Sequence, residues 1–359
     1  MRRKNRMLAA ALLVPVFLML LFAQLRDNRA IMDGWVYGIM GPVEQMLGRL
    51  WSIVPFSVAE VLCVLAVAGA LAWLIYGLVR LVRDRRWRAF LRRVLCLAAA
   101  VLWLLAGLDW LWNAGYYAST FAQRSGLECR PCSVEELERV TVDFAELASE
   151  LACQVERDEQ GHFALSPQAC IRRGVNVYEG ITEEFPLPDV PAVRTKPLVC
   201  SRLQSILGFT GIYFPFTGEA NVNVDAPTCL LPATIAHEMA HQHMVAAEEE
   251  ANFVGIAACV TGEDVTFAYS GYLMGLIHLS NALYRADPQR WYAIREGFSP
   301  ELATDWTDNN EYWAALKSPV EEAAGQAYDA FLKGNDQPLG LRSYGACVDL
   351  LVAWWTDRA

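Results

Sequence analysis

Charged residues make up only 19% of this 359-residue chain, histidine occurs five times, and no segment is repetitive or of low complexity. The shortage of charge, with 54% hydrophobic residues and a mean hydropathy of +0.21, excludes an ordinary soluble enzyme and requires membrane spans. The absence of repeats excludes a solenoid or a fibrous protein. A single Cys-x-x-Cys, Cys129-Arg130-Pro131-Cys132, has no second copy to complete a zinc knuckle and no thioredoxin-like βαβ setting. Basic residues are short in the larger part: residues 1–112 hold 14 basic and 6 acidic residues, whereas 113–359 hold 16 and 34. An acidic body of this kind has no affinity pattern for nucleic acid or anionic lipid.

Three apolar runs supply the spans. Residues 7–25 follow the basic stretch Arg2-Arg3-Lys4-Asn5-Arg6 and lack a small-x-small cleavage site, which favours a retained signal anchor over a cleaved signal peptide. Residues 57–82 and 94–112 form the second and third spans on either side of a basic loop at 83–93. Because positive loops stay in the cytoplasm, the N-terminus and the 83–93 loop belong inside and everything after Trp112 belongs outside. The expected division is a membrane anchor over 1–112 and an extracytoplasmic domain over 113–359, on a multi-pass protein of the cell membrane. Residues 26–51 read as an exposed connection with a short amphipathic piece. Eight of the ten cysteines fall in the exported part, an even number compatible with a disulfide framework, although an unpaired state or a local Cys129–Cys132 bridge fits as well.

Three of the five histidines, His237, His241 and His243, fall within seven positions. In His237-Glu238-Met239-Ala240-His241 the two outer imidazoles are four apart and share one face of a helix, as two ligands of one Zn²⁺ must. The neighbours Ile235, Ala236, Met239 and Ala240 are uncharged, as a buried metal helix requires. Glu238 is then the general base towards a water whose pKa the metal lowers to ~7. The third ligand must come from Glu248-Glu249-Glu250. Glu248 is four residues before Asn252, which places a side-chain amide on the same face to orient a ligand imidazole. Glu250 is the second candidate, with Glu249 directed to solvent. The intervening residues 242–247 must end the helix and reverse the chain.

His-Glu-Met-Ala-His-Gln followed by Glu-Glu-Glu-Ala-Asn-Phe, with FPFTGEANVN upstream and AYSGYL downstream, resembles a bacterial family of membrane-anchored proteins, domain of unknown function 3810, over most of the chain. The paired motifs also resemble those of gluzincin metallopeptidases. That resemblance implies a zincin-like fold and zinc ligation by His237, His241 and Glu248, with Asn252 orienting a histidine. Relatives tend to carry glycine where this chain has Met244.

The fold expected from these patterns is mainly α with a small β-sheet, three transmembrane helices preceding a zincin-like domain. Ser133-Val134-Glu135-Glu136 opens a helix with a capping box, and residues 211–216 and 220–225 read as a hairpin on whose edge a peptide substrate adds a strand. Residues 185–197, with four prolines, read as a rigid surface connection. Residues 265–284 approach span length but carry Ser270, His278, Ser280 and Asn281, and read as a core helix behind the metal. On it Tyr269 is the favoured oxyanion-stabilising residue, with Tyr272 and His278 as alternatives. The expected function is zinc-dependent hydrolysis of a peptide or protein substrate by a bilayer-anchored enzyme. The alternative is a non-catalytic, metal-stabilised binding or sensing module in which Cys229 or His243 closes the fourth metal position.

Overall fold

The computed structural model describes residues 2–127, 130–185, 187, 188, 190, 193–337 and 344–358. The chain is mostly helical with one small sheet. Asn5–Leu25, Val58–Asp84 and Trp87–Tyr117 contain helices long and apolar enough to cross a membrane, and the protein is accordingly a membrane protein. The first and second of these helices both pack on the third. The expected basic loop at 83–93 shrinks to Arg85 and Arg86, because the helices run to Asp84 and restart at Trp87. Arg85 adopts the left-handed conformation that makes so short a reversal feasible.

The region between the first two spans is not the exposed connection expected from its scattered charges. Helices Arg29–Trp35 and Gly41–Trp51 flank a five-residue π-helix, and Met32, Val36 and Met40 are buried with Ala114, Ala118 and Met244 in a small core of their own. Its apolar residues are interrupted by glycines and charges, and their common burial depends on Met244 being brought against them.

The larger core lies in the remainder of the chain. The motif helix Leu231–Gln242 packs on the acidic helix Glu248–Thr261, and both pack on the long helix Val265–Ala286. That last helix buries Leu273, Leu276, Leu279 and Leu283 inside protein, which is why it stays a core helix despite its length. Helix Val134–Ala152 covers its other side and opens with the expected capping box between Ser133 and Glu136. Asp287, Ser299 and Ser318 each cap a helix whose first residue is proline. The C-terminal helix Tyr344–Arg358 buries Val348, Leu351 and Trp354 against the same core.

Strands β1 (Lys196–Pro197), β2 (Gly211–Phe214) and β3 (Glu219–Val222) form the sheet in the order β1-β3-β2, with β3 parallel to β1 and antiparallel to β2. The expected hairpin is β2–β3, and β2 is an edge strand. The proline-rich connection lies partly outside the described residues: Pro186, Asp189, Pro191 and Ala192 are not among them. Cys129 is likewise outside. The nine described cysteines are all free thiols, so the disulfide framework is not formed among the described residues.

The sheet is bolted to the spans by buried charge. Glu219 accepts hydrogen bonds from the backbone N–H groups of Val58 (3.2 Å) and Ala59 (2.8 Å), the first two residues of the second span. Lys196 lies 3.8 Å from Glu219 and donates to the carbonyl of Trp51 (2.9 Å) at the C-terminus of helix Gly41–Trp51, and to that of Val54. Each charge thus meets the helix end whose dipole it complements. Glu60, in the first turn of the second span, returns the contact by accepting from Val199 (2.8 Å) and Cys200 (2.6 Å).

Candidate metal centre

The motif helix presents His237 and His241 on one face, with ring centroids 4.9 Å apart. After Gln242 the chain reverses, and Met244 takes up a left-handed conformation at φ 60°. This is the position where glycine would cost least. The Met244 side chain is held instead in the small core against Gly41. The acidic helix then begins at Glu248 and returns across the motif helix at very short range. A Cβ on Gly255 would lie 2.8 Å from the backbone nitrogen of His237, so only glycine permits this crossing. Its consequence is that Glu248 reaches both imidazoles: Nε2 of His237 is 3.3 Å and Nε2 of His241 4.0 Å from its carboxylate.

His237, His241 and Glu248 form a group whose ligand atoms all lie within 4.8 Å of one another. Two imidazoles and one carboxylate at these separations fit the donor set of a divalent ion such as Zn²⁺. The rings are oriented from behind. Nδ1 of His241 is 2.7 Å from the carbonyl of Val245, which fixes the tautomer that leaves Nε2 free to coordinate. Burial opposes ionisation of His237, but Glu248, Glu238 and the neighbouring Asn252 outweigh it and raise its pKa, while Nδ1 of His237 and Nδ2 of Asn252 have no hydrogen-bond partner among the described residues. Burial pushes His241 down to about 4. Burial opposes ionisation of Glu248, but the His237 contact, the charges of both histidines and the hydroxyl of Tyr328 outweigh it and hold the carboxyl at about 2. Both groups are therefore ready to act as ligands at neutral pH.

The three consecutive glutamates have three different settings. Glu250 does not face the histidines: its carboxylate accepts from Phe121 (2.7 Å) and Ala122 (2.9 Å) and caps the short helix Phe121–Ser125. Glu249 is half-buried rather than directed to solvent.

Glu238 is 4% exposed and lines a cavity of about 440 Å³ together with His237, His241 and Glu248. One of its oxygens, Oε2, has no hydrogen-bond partner among the described residues, and burial raises the pKa of the carboxyl to about 8. The edge strand β2 closes in on it: a Cβ on Gly211 would stand 2.4 Å from Oε1 of Glu238. Substituting Gly211 would thus displace either the strand or the carboxylate.

Tyr269, expected at the oxyanion, is elsewhere. It is fully buried and donates its hydroxyl to Asp305, which also receives a bidentate pair from Arg157. A carboxylate 1% exposed requires these donors, and the tyrosine supplies one of them. Tyr272 packs edge-on against Phe144 and Trp355, away from the histidines. His278 does feel the charge of His237, and burial pushes it down to about 4, but it does not line the cavity. Two tyrosines line it, Tyr213 of β2 and Tyr328 on helix Pro319–Gly334, and the hydroxyl of Tyr328 is 2.5 Å from Oε1 of Glu248. Tyr328 lies 80 residues beyond Glu248 with no motif around it, so nothing in the local pattern marks it. Cys229 and His243 are both buried outside the ligand group: His243 stacks on Tyr178 at 4.2 Å and its Nδ1 is 3.0 Å from the carbonyl of Pro188.

Trp112, just after the third span's helix, stands edge-on to His241 at 5.2 Å and beside Tyr213 of β2 at 5.7 Å. Tyr213 in turn donates to Glu44 at 2.6 Å. The interspan helix Gly41–Trp51, the edge strand, the end of the last span and a candidate ligand are thereby in one contact chain. None of the curated proteins and none of the solved structures compared with the chain matches it. Residues 36–352 match the family described as Protein of unknown function (DUF3810), an extent that runs from the interspan helices to the C-terminal helix, and the chain belongs to that family.

Proposed function

We propose that the protein is a membrane-anchored metallopeptidase in which His237, His241 and Glu248 hold a zinc ion and Glu238 acts as general base. A divalent metal held there supplies Lewis acidity that brings the pKa of a water towards ~7 and polarises a carbonyl oxygen. The chain's own residues account for the rest. Glu238 lines the cavity with one carboxylate oxygen left without a donor among the described residues, takes a proton there and passes it to the departing amine. Tyr328 donates its one hydroxyl proton to Glu248, and turning that proton into the cavity presents it to an oxygen that gains charge during the reaction. The carbonyl of Val245 holds His241 in register, and Asn252 lines the same cavity beside His237. The edge strand β2 borders the cavity and has an unextended side on which an extended peptide can pair.

The observation that carries this reading is the orphaned Glu238 carboxylate in a cavity shared with three, not four, clustered donors among the described residues. A purely structural site usually closes its fourth position and needs no base. Glu238→Gln in the full chain is expected to retain metal and lose cleavage of a defined peptide mixture by about 10²- to 10⁴-fold, scored as new termini by mass spectrometry. Equal cleavage by both chains contradicts the assignment. The basic flanks of the spans support an extracytoplasmic domain in the cell membrane. A reporter joined after the last residue should then be active only outside the cytoplasm, and activity inside would reverse the orientation.

A further inference from the structure

The cavity is not carried on a stalk away from the lipid. Its wall includes Leu108, in the last turn of the third span's helix, and Trp112 beyond that helix's end. Phe216, at the tip of the β2–β3 hairpin, sits on the same span at Gly107, where a Cβ would be 2.6 Å from the ring. With a rise of about 1.5 Å per residue, Gly107 lies about 6 Å below the end of that helix, so the hairpin tip reaches down to the apolar part of the span. Trp112 is a residue type that settles at the membrane interface, and it touches the ring of His241.

A second observation places the domain's underside at the same level. Val199 is 83% exposed although its N–H is held by Glu60, a residue of the first turn of the second span. Ile53, just ahead of that span, is 78% exposed, and Leu203, on the helix following Val199, is 54% exposed. Large aliphatic side chains exposed to this degree beside the start of a transmembrane helix are explained by contact with lipid, as a continuation of the apolar surface of the span itself. Ile212 of the edge strand is exposed as well and lines the cavity.

We propose that the substrate is a polypeptide anchored by its own membrane-spanning segment, and that β2 receives it in the first residues outside the hydrocarbon core. This rests on the peptidase reading above. A soluble chain would have to bring its peptide bond down to the lipid surface, whereas a segment leaving the bilayer is already at the height of Trp112 and Ile212. About six extended residues reach about 20 Å, enough to pass from the end of a span through the cavity.

The test uses the full chain in phosphatidylcholine/phosphatidylglycerol vesicles and a synthetic probe, a 20-residue leucine/alanine span followed by a 12-residue soluble tail. With Glu238→Gln and p-benzoylphenylalanine in place of Ile212, photocrosslinks are expected within the first six tail residues, and the free tail at equal concentration should give at least ten-fold fewer. The same group in place of Tyr292, exposed on the helix Pro288–Glu296, should show no preference along the tail. Crosslinks spread evenly along the tail, or confined to its far end, overturn the proposal, as does equal crosslinking of the free tail. Wild-type cleavage separates the two readings. Proximal crosslinks without cleavage sustain this inference and remove the peptidase activity, whereas equal cleavage of free and anchored tails sustains the peptidase and removes this inference.

Discussion

Carboxylates serve two regions of this molecule in opposite ways. Where the domain is seated on the spans, each holds two backbone donors: Glu219 the amides of Val58 and Ala59, and Glu60 those of Val199 and Cys200. In the cavity, Glu248 is shared between two imidazoles and a phenol, and Glu238 keeps an oxygen with no donor at all. A carboxylate gripped by backbone N–H groups is a mechanical part with little left to give. One left underbonded beside a cavity is available for a proton. Glu44 sharpens the distinction, because it also has an oxygen without a partner among the described residues and a pKa pushed by burial up to about 8, yet it faces Tyr213 and does not line the cavity of His237 and His241. Underbonding marks chemistry only where a substrate can arrive.

The comparison predicts that disabling the seat costs stability and disabling the site costs metal or rate. The largest stability effect is expected for Glu219→Ala, which leaves Lys196 buried without its counter-charge and two span amides without an acceptor. A loss of about 3–5 kcal/mol, read as a lowered unfolding midpoint in detergent, follows from breaking a buried pair on one side. Glu60→Ala should cost less, about 1–2 kcal/mol, because its contacts are partly exposed and unpaired with a cation. Equal effects of the two would mean that the Lys196–Glu219 charge pair does not hold the sheet to the spans. Smaller again, Asn252→Ala should leave stability nearly unchanged and weaken zinc affinity by about 10- to 100-fold in a chelator competition. Unchanged affinity would show that Asn252 does not orient His237.

Much of the candidate site was legible from spacing alone. Residues four apart on a helix fall on one face in any fold, so His237 with His241, and Glu248 with Asn252, needed no tertiary information. The choice between Glu248 and Glu250 was also a matter of which face turns inward, and Glu250 is drawn away by amides 128 and 129 residues distant. Tyr269 could not be placed the same way. It shares an apolar helix with other candidates, and the deciding partner, Asp305, is 36 residues on. Tyr328 was invisible for the converse reason: its role arises from helix Pro319–Gly334 passing over the cavity, a long-range contact with no local signature. The interspan segment misled because short helices rich in glycine and charge look solvent-exposed. Its burial depends on partners at 114, 118 and 244 that only the folded chain supplies. The left-handed Met244 shows the same limit at one residue, since a side chain packed in that core holds a turn that local propensity assigns to glycine.

Because the domain is seated on all this, residues 113–359 are not the right object on which to test the metal. The most direct measurement is elemental analysis of the full-length chain purified in detergent without chelator, alongside His237→Ala, Glu248→Gln and Glu238→Gln. The account predicts about one zinc per chain in the wild type and in Glu238→Gln, whose residue is not a ligand, and a loss of bound zinc in the other two. Equal metal content in the wild type and His237→Ala, with both chains folded, would contradict it.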